Sequence, residues 1–285
     1  KLHFDGDYRR AVSDNDVNTA YPSGEYATVN STDHKSSTLY AGKLYMEMPL
    51  LRGSLTAGTQ DSYTHTSLDY RMLNSEVNTY IPSSVTDARQ VSAALFASWQ
   101  RQFGRFDLSV GARYEYVDYL YKVNGMKDDA VSRTDHMLTP DISLGYSFSD
   151  RASLSLSYRM ATVRPPYAQL TNSLSYVGLH EIEGGNPALR DEKMHDLRLS
   201  SMYGDFMLQA DLVRSTDTYA YVKQLYPTSS LQLLMHPVNV DVTALSMYLI
   251  WSRSIRFWTP NVTMGMYKQW MQIDGTHYPT PIFSY

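Results

Sequence analysis

The sequence predicts an all-β protein, an antiparallel up-and-down transmembrane β-barrel with short periplasmic turns and long extracellular loops. Three observations predict this fold. Short turns recur about every 50 residues, at 51–53, 103–105, 149–151, 204–205 and 252–254. The stretches between the turns alternate apolar and polar residues, which is the period of a β-strand. The far ends of these stretches lead into much longer polar segments, as in barrels of the outer membrane.

The clearest strand covers residues 105–119. Its apolar face carries Phe106, Leu108, Val110, Ala112, Tyr114 and Tyr116, and its polar face carries Arg105, Asp107, Ser109, Gly111, Arg113 and Glu115. The run exceeds the roughly 9–11 residues with which a tilted strand crosses a bilayer. It therefore predicts a membrane strand with one lipid face and one wet face.

The other segments repeat this pattern with varying regularity. The predicted strands, in order, cover residues 1–10, 39–49, 54–66, 90–100, 105–119, 137–149, 152–161, 193–203, 206–212, 245–251 and 255–271, and a further one begins at 281. The predicted loops cover residues 11–37, 67–88, 120–136, 162–192, 219–238 and 272–280. Phe96 falls outside the alternation, and 255–271 is the least regular run because Phe257 and Tyr267 lie on its polar side.

Composition narrows the class of protein without deciding it. The mean hydropathy is −0.38, and no stretch of 18 apolar residues exists, which excludes a transmembrane helix. The 24 tyrosines fit aromatic girdles at two membrane interfaces, or equally a Tyr-rich soluble sandwich. The second strand faces carry Ser, Thr, Gln and charged residues instead of the Leu, Ile and Val that fill a sandwich. This favours a wide barrel with a wet interior.

The sequence carries no motif for several kinds of functional site. There is no cysteine, the net charge is −4, and no basic stripe suggests nucleic acid. The eight histidines show no metal-ligand spacing, and no nucleophile, phosphate or dinucleotide motif occurs. We therefore expect no catalytic residue, no metal, no cofactor and no enzymatic activity, and an outer-membrane hydrolase is the least supported alternative.

Two motifs in residues 158–192 resemble a signature of TonB-dependent outer-membrane receptors. A strand ending in Tyr158-Arg159 leads to Arg164-Pro165 and Leu170, an "R-P-x-x-x-x-L" pattern. After a loop, residues 185–192 read "G-N-P-x-L-x-x-E". Residues 111–115 are similar to the family's "G-x-R-Y-E" strand, and 141–146 to another of its strands. The overall pattern of strands and loops is most similar to the receptor-like barrels common in Bacteroidetes.

The resemblance implies a 22-stranded barrel with an N-terminal plug and energised uptake of a scarce nutrient such as a siderophore, corrinoid, glycan or peptide. It implies outer-membrane lipid, a TonB-type energy-coupling complex acting through the plug, the nutrient ligand and a surface lipoprotein as partners. We expect residues 1–285 to be one barrel portion of about eleven strands and a stub. The plug and the signal peptide would lie upstream. A self-contained 12-stranded barrel is the alternative.

The candidate ligand or lumen residues are Arg113, Glu115, Arg159, Arg164, Tyr167, Tyr176 and Tyr226. The arginines could bind anionic cargo or a plug carboxylate, and the tyrosines could stack on flat ligands. Alternatively, the motif residues shape the base of a loop, and the tyrosines pack loops together or belong to an interface girdle. An alternative function is a non-transporting barrel that anchors adhesion or a partner.

Overall fold

The computed structural model describes residues 1–20, 28–74, 82–167, 169–171, 174–178, 181–226, 233–273, 275–279 and 283–284. Strands dominate these residues and join into one sheet of sixteen strands. Eleven of these strands have twelve residues or more. In the described part of the chain, no helix is long and apolar enough to cross a membrane.

The long strands run up and down in chain order. They are β1 (Leu2–Ala20), β2 (Thr28–Leu50), β3 (Gly53–Met72), β4 (Ser84–Phe103), β5 (Phe106–Val123), β7 (Arg133–Ser149), β8 (Ala152–Val163), β11 (Glu192–Tyr203), β12 (Phe206–Leu225), β13 (Leu233–Ser252) and β14 (Asn261–Ile273). The short strands are β6 (Met126–Lys127), β9 (Leu174–Gly178), β10 (Glu181–Gly184), β15 (Thr276–Pro279) and β16 (Phe283–Ser284). Neighbouring long strands pair antiparallel from β1 to β14. Among the described residues, β1 pairs only with β2.

Four of the five short turns lie where the sequence predicts them, on one side of the sheet. The first four are tight connections between β2 and β3, β4 and β5, β7 and β8, and β11 and β12. The prediction was wrong for the fifth, because residues 253–260 form a longer connection and β14 begins at Asn261, not at residue 255. An Ile255–Trp258 bridge and the positive φ of Arg256 fold this segment back on itself.

The two faces of the sheet differ in polarity, as the alternation predicts. On one face Ser109, Ser143 and Ser157 pair side by side across β5, β7 and β8. On the other face Leu108, Leu144 and Leu156 do the same. Leu144 and Leu156 are each 47% exposed, although they sit mid-strand. An apolar, exposed outer face and a polar inner face are the arrangement of a membrane barrel.

Two bands of aromatic side chains border the apolar outer face. Near the short turns, Phe106 packs on Tyr146 with ring centroids 4.5 Å apart. Further up the sheet, Tyr40 lies between Tyr8 and Tyr63 at 5.0 and 6.4 Å. On β5, the upper aromatic residue is Tyr114 and the lower one is Phe106. They are eight residues apart, which is roughly 20 Å for a tilted strand. The spacing approximates the ~25 Å apolar band of such barrels.

Above the upper band the polarity of the strands inverts, and this explains why four loops are shorter than predicted. Beyond Glu115 on β5, the inward side chains Val117, Tyr119 and Tyr121 are apolar or aromatic and buried. The outward ones include Asp118, 4.0 Å from Arg89 of β4. Strands therefore continue past the membrane, with water outside and packed loops inside. Consequently β1–β5, β7, β12 and β13 extend into the predicted loops 11–37, 67–88, 120–136 and 219–238.

Candidate functional site

The segment 164–191, here called the inner loop, folds against the inner face of the sheet at its extracellular end. Leu170 and Leu189 of the inner loop are 6% and 0% exposed. They pack in one apolar cluster with Ala88, Tyr119, Tyr121 and Val131, and Val123 and Tyr167 border it. The inner loop therefore packs on the apolar inward residues above Glu115.

Arg164 anchors the start of the inner loop to the wall. Its guanidinium forms an ion pair with Glu115 of β5 and lies 3.4 Å from the Asp191 carboxylate. Glu115 also accepts a hydrogen bond from the Ser92 hydroxyl of β4. Since Arg164 and Asp191 stand at the two ends of the inner loop, one guanidinium joins both ends to the wall.

The Asp191 carboxylate of this network is also largely buried, with its side chain 12% exposed. Burial raises the pKa of its carboxyl, while Arg164 and Arg133 oppose that rise. Arg133 of β7 lies 3.8 Å from Asp191 and 3.2 Å from Asp135. Desolvation of the carboxylate therefore outweighs the attraction of two nearby guanidinium groups.

The Gly185-Asn186-Pro187 motif builds the turn that leads into β11. The Asn186 side-chain oxygen accepts a hydrogen bond from the Ala188 amide (3.0 Å), and its NH₂ donates to the Pro237 carbonyl (3.0 Å). A Cβ on Gly185 would meet the Thr171 carbonyl oxygen at 2.5 Å. The motif therefore needs glycine for close backbone approach and asparagine for an Asx-type turn.

The β9–β10 hairpin of the inner loop spans two parts of the wall. The backbone of β10 pairs in parallel with β13, with Glu181 opposite Leu233. The side chain of Ile182 is 0% exposed and packs with Val29, Tyr70 and Met72 of β2 and β3. The hairpin thus connects strands that lie far apart in the order of the sheet.

A cavity of about 400 Å³, here called the loop cavity, lies between the inner loop and the inner face of β1–β5. Its charged lining residues are Asp33, Lys35 and Glu183. The polar and aromatic lining residues are Asn15, Thr66, Thr86, Gln169, Thr171, Tyr70, Tyr121 and Tyr167. A cavity of this size with both charge signs can take a small polar ligand.

The candidate arginines and Glu115 occupy two levels of the inner wall. Arg113 lies 3.6 Å from Glu115 and donates a hydrogen bond to Gln60 (3.1 Å). These two residues and Arg164 come together beneath the inner loop. Arg159 lies apart from them on β8, mostly exposed, 3.8 Å from Asp141.

The candidate tyrosines are dispersed. Tyr167 is partly buried in the inner loop, its hydroxyl lies 3.3 Å from the side-chain amide of Gln90, and burial raises the pKa of that hydroxyl. Tyr226 follows β12 and packs against the cluster around Ile182. Tyr176 belongs to the backbone of β9, and its side chain is outside the described part of the structure. The three tyrosines do not share one described surface.

Sequence reasoning missed several residues that build the site. Ser92, Arg133 and Asp191 join the network around Arg164, and Asp33, Lys35 and Glu183 line the loop cavity. Strand parity could have placed Asp33 and Lys35 on one face, but no local signal indicates that the inner loop covers them. Phe96, which breaks the alternation, faces inward, with the Lys43 ammonium 5.3 Å from its ring. In the described residues, no group of three or more His, Asp or Glu side chains could bind a metal.

Comparison with known proteins supports the fold. A family model described as "Outer membrane protein beta-barrel family" matches residues 1–282. No curated protein matches the sequence. Among solved structures, the copper transporter OprC superposes with a TM-score of 0.67 at 14% identity, over 95% of this chain and 44% of that one.

Two further solved structures share the fold. The pyoverdine outer membrane receptor FpvA from Pseudomonas aeruginosa PAO1, bound to pyoverdine, gives a TM-score of 0.53 at 12% identity, over 96% of this chain and 43% of that one. A ferric enterobactin receptor mutant from Pseudomonas aeruginosa, in complex with enterobactin, gives a TM-score of 0.51 at 15% identity, over 94% of this chain and 44% of that one. This chain therefore spans less than half the length of these proteins.

Proposed function

Because this chain belongs to the outer membrane protein beta-barrel family and its barrel resembles those of TonB-dependent receptors of the bacterial outer membrane, we propose that it is a portion of a nutrient-uptake receptor. The parent protein takes up a large, scarce nutrient such as a siderophore, corrinoid, glycan or peptide. It is energised by a TonB-type complex acting through a plug. The barrel performs no covalent chemistry.

One observation carries this proposal, the loop cavity between the inner loop and the polar inner wall. Below it, the inner wall carries Asp141, Arg159 and Asp196 side by side on β7, β8 and β11. Such a wall provides a wet path for a polar solute. A barrel that serves only as an anchor needs neither an enclosed cavity nor a charged inner wall.

The descriptions of proteins with a similar fold support the proposal. OprC is a copper transporter, and the FpvA structure contains pyoverdine. This barrel architecture therefore occurs in a transporter and in a ligand-bound receptor. The nutrient of this chain has to be found by experiment.

Uptake by whole cells tests the proposal. The source bacterium with the intact gene, and the same strain with the gene deleted, would be given four labelled probes: a ferric siderophore, cobalamin, an oligosaccharide and an oligopeptide. We expect gene-dependent accumulation of one probe, abolished by a protonmotive-force uncoupler or by deletion of tonB. Surface binding without accumulation would support the anchor instead. Gene-dependent accumulation that is insensitive to both treatments would overturn energised uptake.

A further inference from the structure

The charges that line the loop cavity differ from those elsewhere on the inner wall. Arg113, Arg159 and Arg164 each lie within 4.0 Å of a carboxylate. Among the described residues, Asp33, Lys35 and Glu183 take part in no ion pair within this distance. The Asn15 side-chain amide donates a hydrogen bond to Asp33 (3.1 Å), and Tyr70 lies opposite Asp33 on β3. The cavity thus presents one cation and two anions that form no ion pair with another described residue.

The unpaired charges of the cavity restrict the chemistry of a ligand that can enter it. A ligand that excludes water from a charged group must supply an opposite charge or hydrogen bonds, because desolvation is otherwise unfavourable. Two carboxylates with one ammonium disfavour a polyanion. Charges of both signs in one cavity are instead matched by a ligand that itself carries both signs.

The aromatic lining argues against a sugar as the preferred ligand. Sugars are commonly bound by packing on an open aromatic face. Tyr70 and Tyr121 of the loop cavity are only 4% and 1% exposed, so the protein already covers their rings. Tyr167 is the third tyrosine of the lining, and it is also partly buried.

The spacing of the charges sets the length of the ligand. Asp33 and Lys35 point to the same face of β2 and are two residues apart, which is about 7 Å along a strand. An extended peptide advances about 3.3–3.6 Å per residue. The ammonium and carboxylate of a dipeptide are therefore separated by about the distance between Asp33 and Lys35. Those of a tripeptide are one residue farther apart, about 10 Å, which the long flexible side chain of Lys35 can span.

We propose that the loop cavity binds the free termini of a short peptide, with its α-ammonium at Asp33 and Glu183 and its α-carboxylate at Lys35. This inference rests on the proposed function and narrows its nutrient to a zwitterionic peptide. The Lys35 ammonium is a point-charge donor for the carboxylate. The two carboxylates accept the three N–H groups of the ammonium.

Calorimetric titration of the full-length protein in detergent tests the proposal. The probes are trialanine, N-acetyl-trialanine, trialanine amide and maltotriose. We expect trialanine to bind, and blocking either terminus to weaken binding at least about tenfold, the loss expected for one charge-assisted contact. Lys35→Gln and Glu183→Gln should each weaken binding similarly. Lys193→Gln, which removes an exposed lysine of β11 outside the cavity, should bind trialanine like the unaltered protein.

The outcomes separate this proposal from the proposed function. Binding that is insensitive to Lys35→Gln and Glu183→Gln, preference for maltotriose, or no binding of any probe would each overturn the peptide site. If trialanine fails to bind while the cells accumulate a different nutrient, only the peptide inference is lost. If trialanine binds but no probe is accumulated, the peptide site stands and uptake is refuted. The melting temperature of each variant, followed by circular dichroism, verifies that it is folded.

Discussion

At the residue scale, the position of the inner loop depends on a few side chains whose partners are distant in sequence. Arg164 lies 49 residues from Glu115, so no local pattern could have predicted their contact. The "R-P" and "G-N-P" motifs lie in the inner loop, and their physical roles became visible only in three dimensions. Arg164 fixes the ends of the loop, and Gly185 permits two backbone segments to approach closely.

We expect Arg164→Ala to destabilise the protein by roughly 1–3 kcal/mol, because Glu115 and Asp191 lose a partner in a partly buried site. Arg159→Ala is the matched control. It removes a mostly exposed arginine with one ion pair at 3.8 Å, for which we expect a change below about 1 kcal/mol. Urea-induced unfolding of both variants in detergent, followed by tryptophan fluorescence, measures the difference. Equal effects would show that Arg164 does not anchor the loop.

Gly185→Ala should destabilise the protein by roughly 1–3 kcal/mol, because its new Cβ overlaps a packed backbone oxygen. Gly42→Ala serves as the comparison, since a Cβ there has no atom within 4 Å and should be tolerated. Thermal unfolding of the two variants by circular dichroism checks this expectation. A melting temperature of Gly185→Ala at or above that of Gly42→Ala would contradict the close approach.

At the element scale, the sequence predicted the strands accurately within the membrane and poorly beyond it. Between the aromatic bands, one face meets lipid and the other meets water, so alternation is regular, as in Phe106 to Glu115. Above them, the solvent moves to the outer face and packed loops move to the inner face. Asp118 and Tyr119 therefore follow the opposite rule from Leu108 and Ser109, and a search for one continuous pattern ends the strand too early.

The assignment of the lipid face is tested by a matched pair of arginine substitutions on β7. Leu144→Arg should cost about 2–4 kcal/mol if its side chain faces mid-membrane lipid. Ser143→Arg places the same charge on the inner, wet face one residue away and should be tolerated. Folding into lipid vesicles, titrated with urea, measures both. Similar losses for both variants would indicate a packed interior on the Ser143 side.

At the scale of the whole molecule, the outer surface of the sheet requires a nonpolar solvent. Leu95, Leu138 and Leu144 are 65%, 58% and 47% exposed. A contiguous apolar surface of this kind drives aggregation in water. The sequence indicated this through alternation alone, since the mean hydropathy is −0.38. How the inner loop divides the interior could not be predicted, because it depends on contacts between β10, β13 and β2 that form only when the barrel curves.

We expect the full-length protein to stay dispersed in detergent and to aggregate when detergent is removed, because the apolar band then meets water. Size-exclusion chromatography with light scattering before and after removal measures this. Amphipathic polymer added during removal is the control and should keep the protein dispersed. A monodisperse sample in plain buffer would contradict the membrane assignment.

The continuation of the strands above the upper aromatic band has a consequence for the cell surface. The charged outer side of these strand ends, with His65, Asp87, Arg89 and Asp118, is built on a hydrogen-bonded sheet. An antibody or a bacteriophage that approaches the cell from outside therefore meets an epitope of fixed shape. Its geometry is set by the barrel itself, so it persists when the sequences of the connecting loops change.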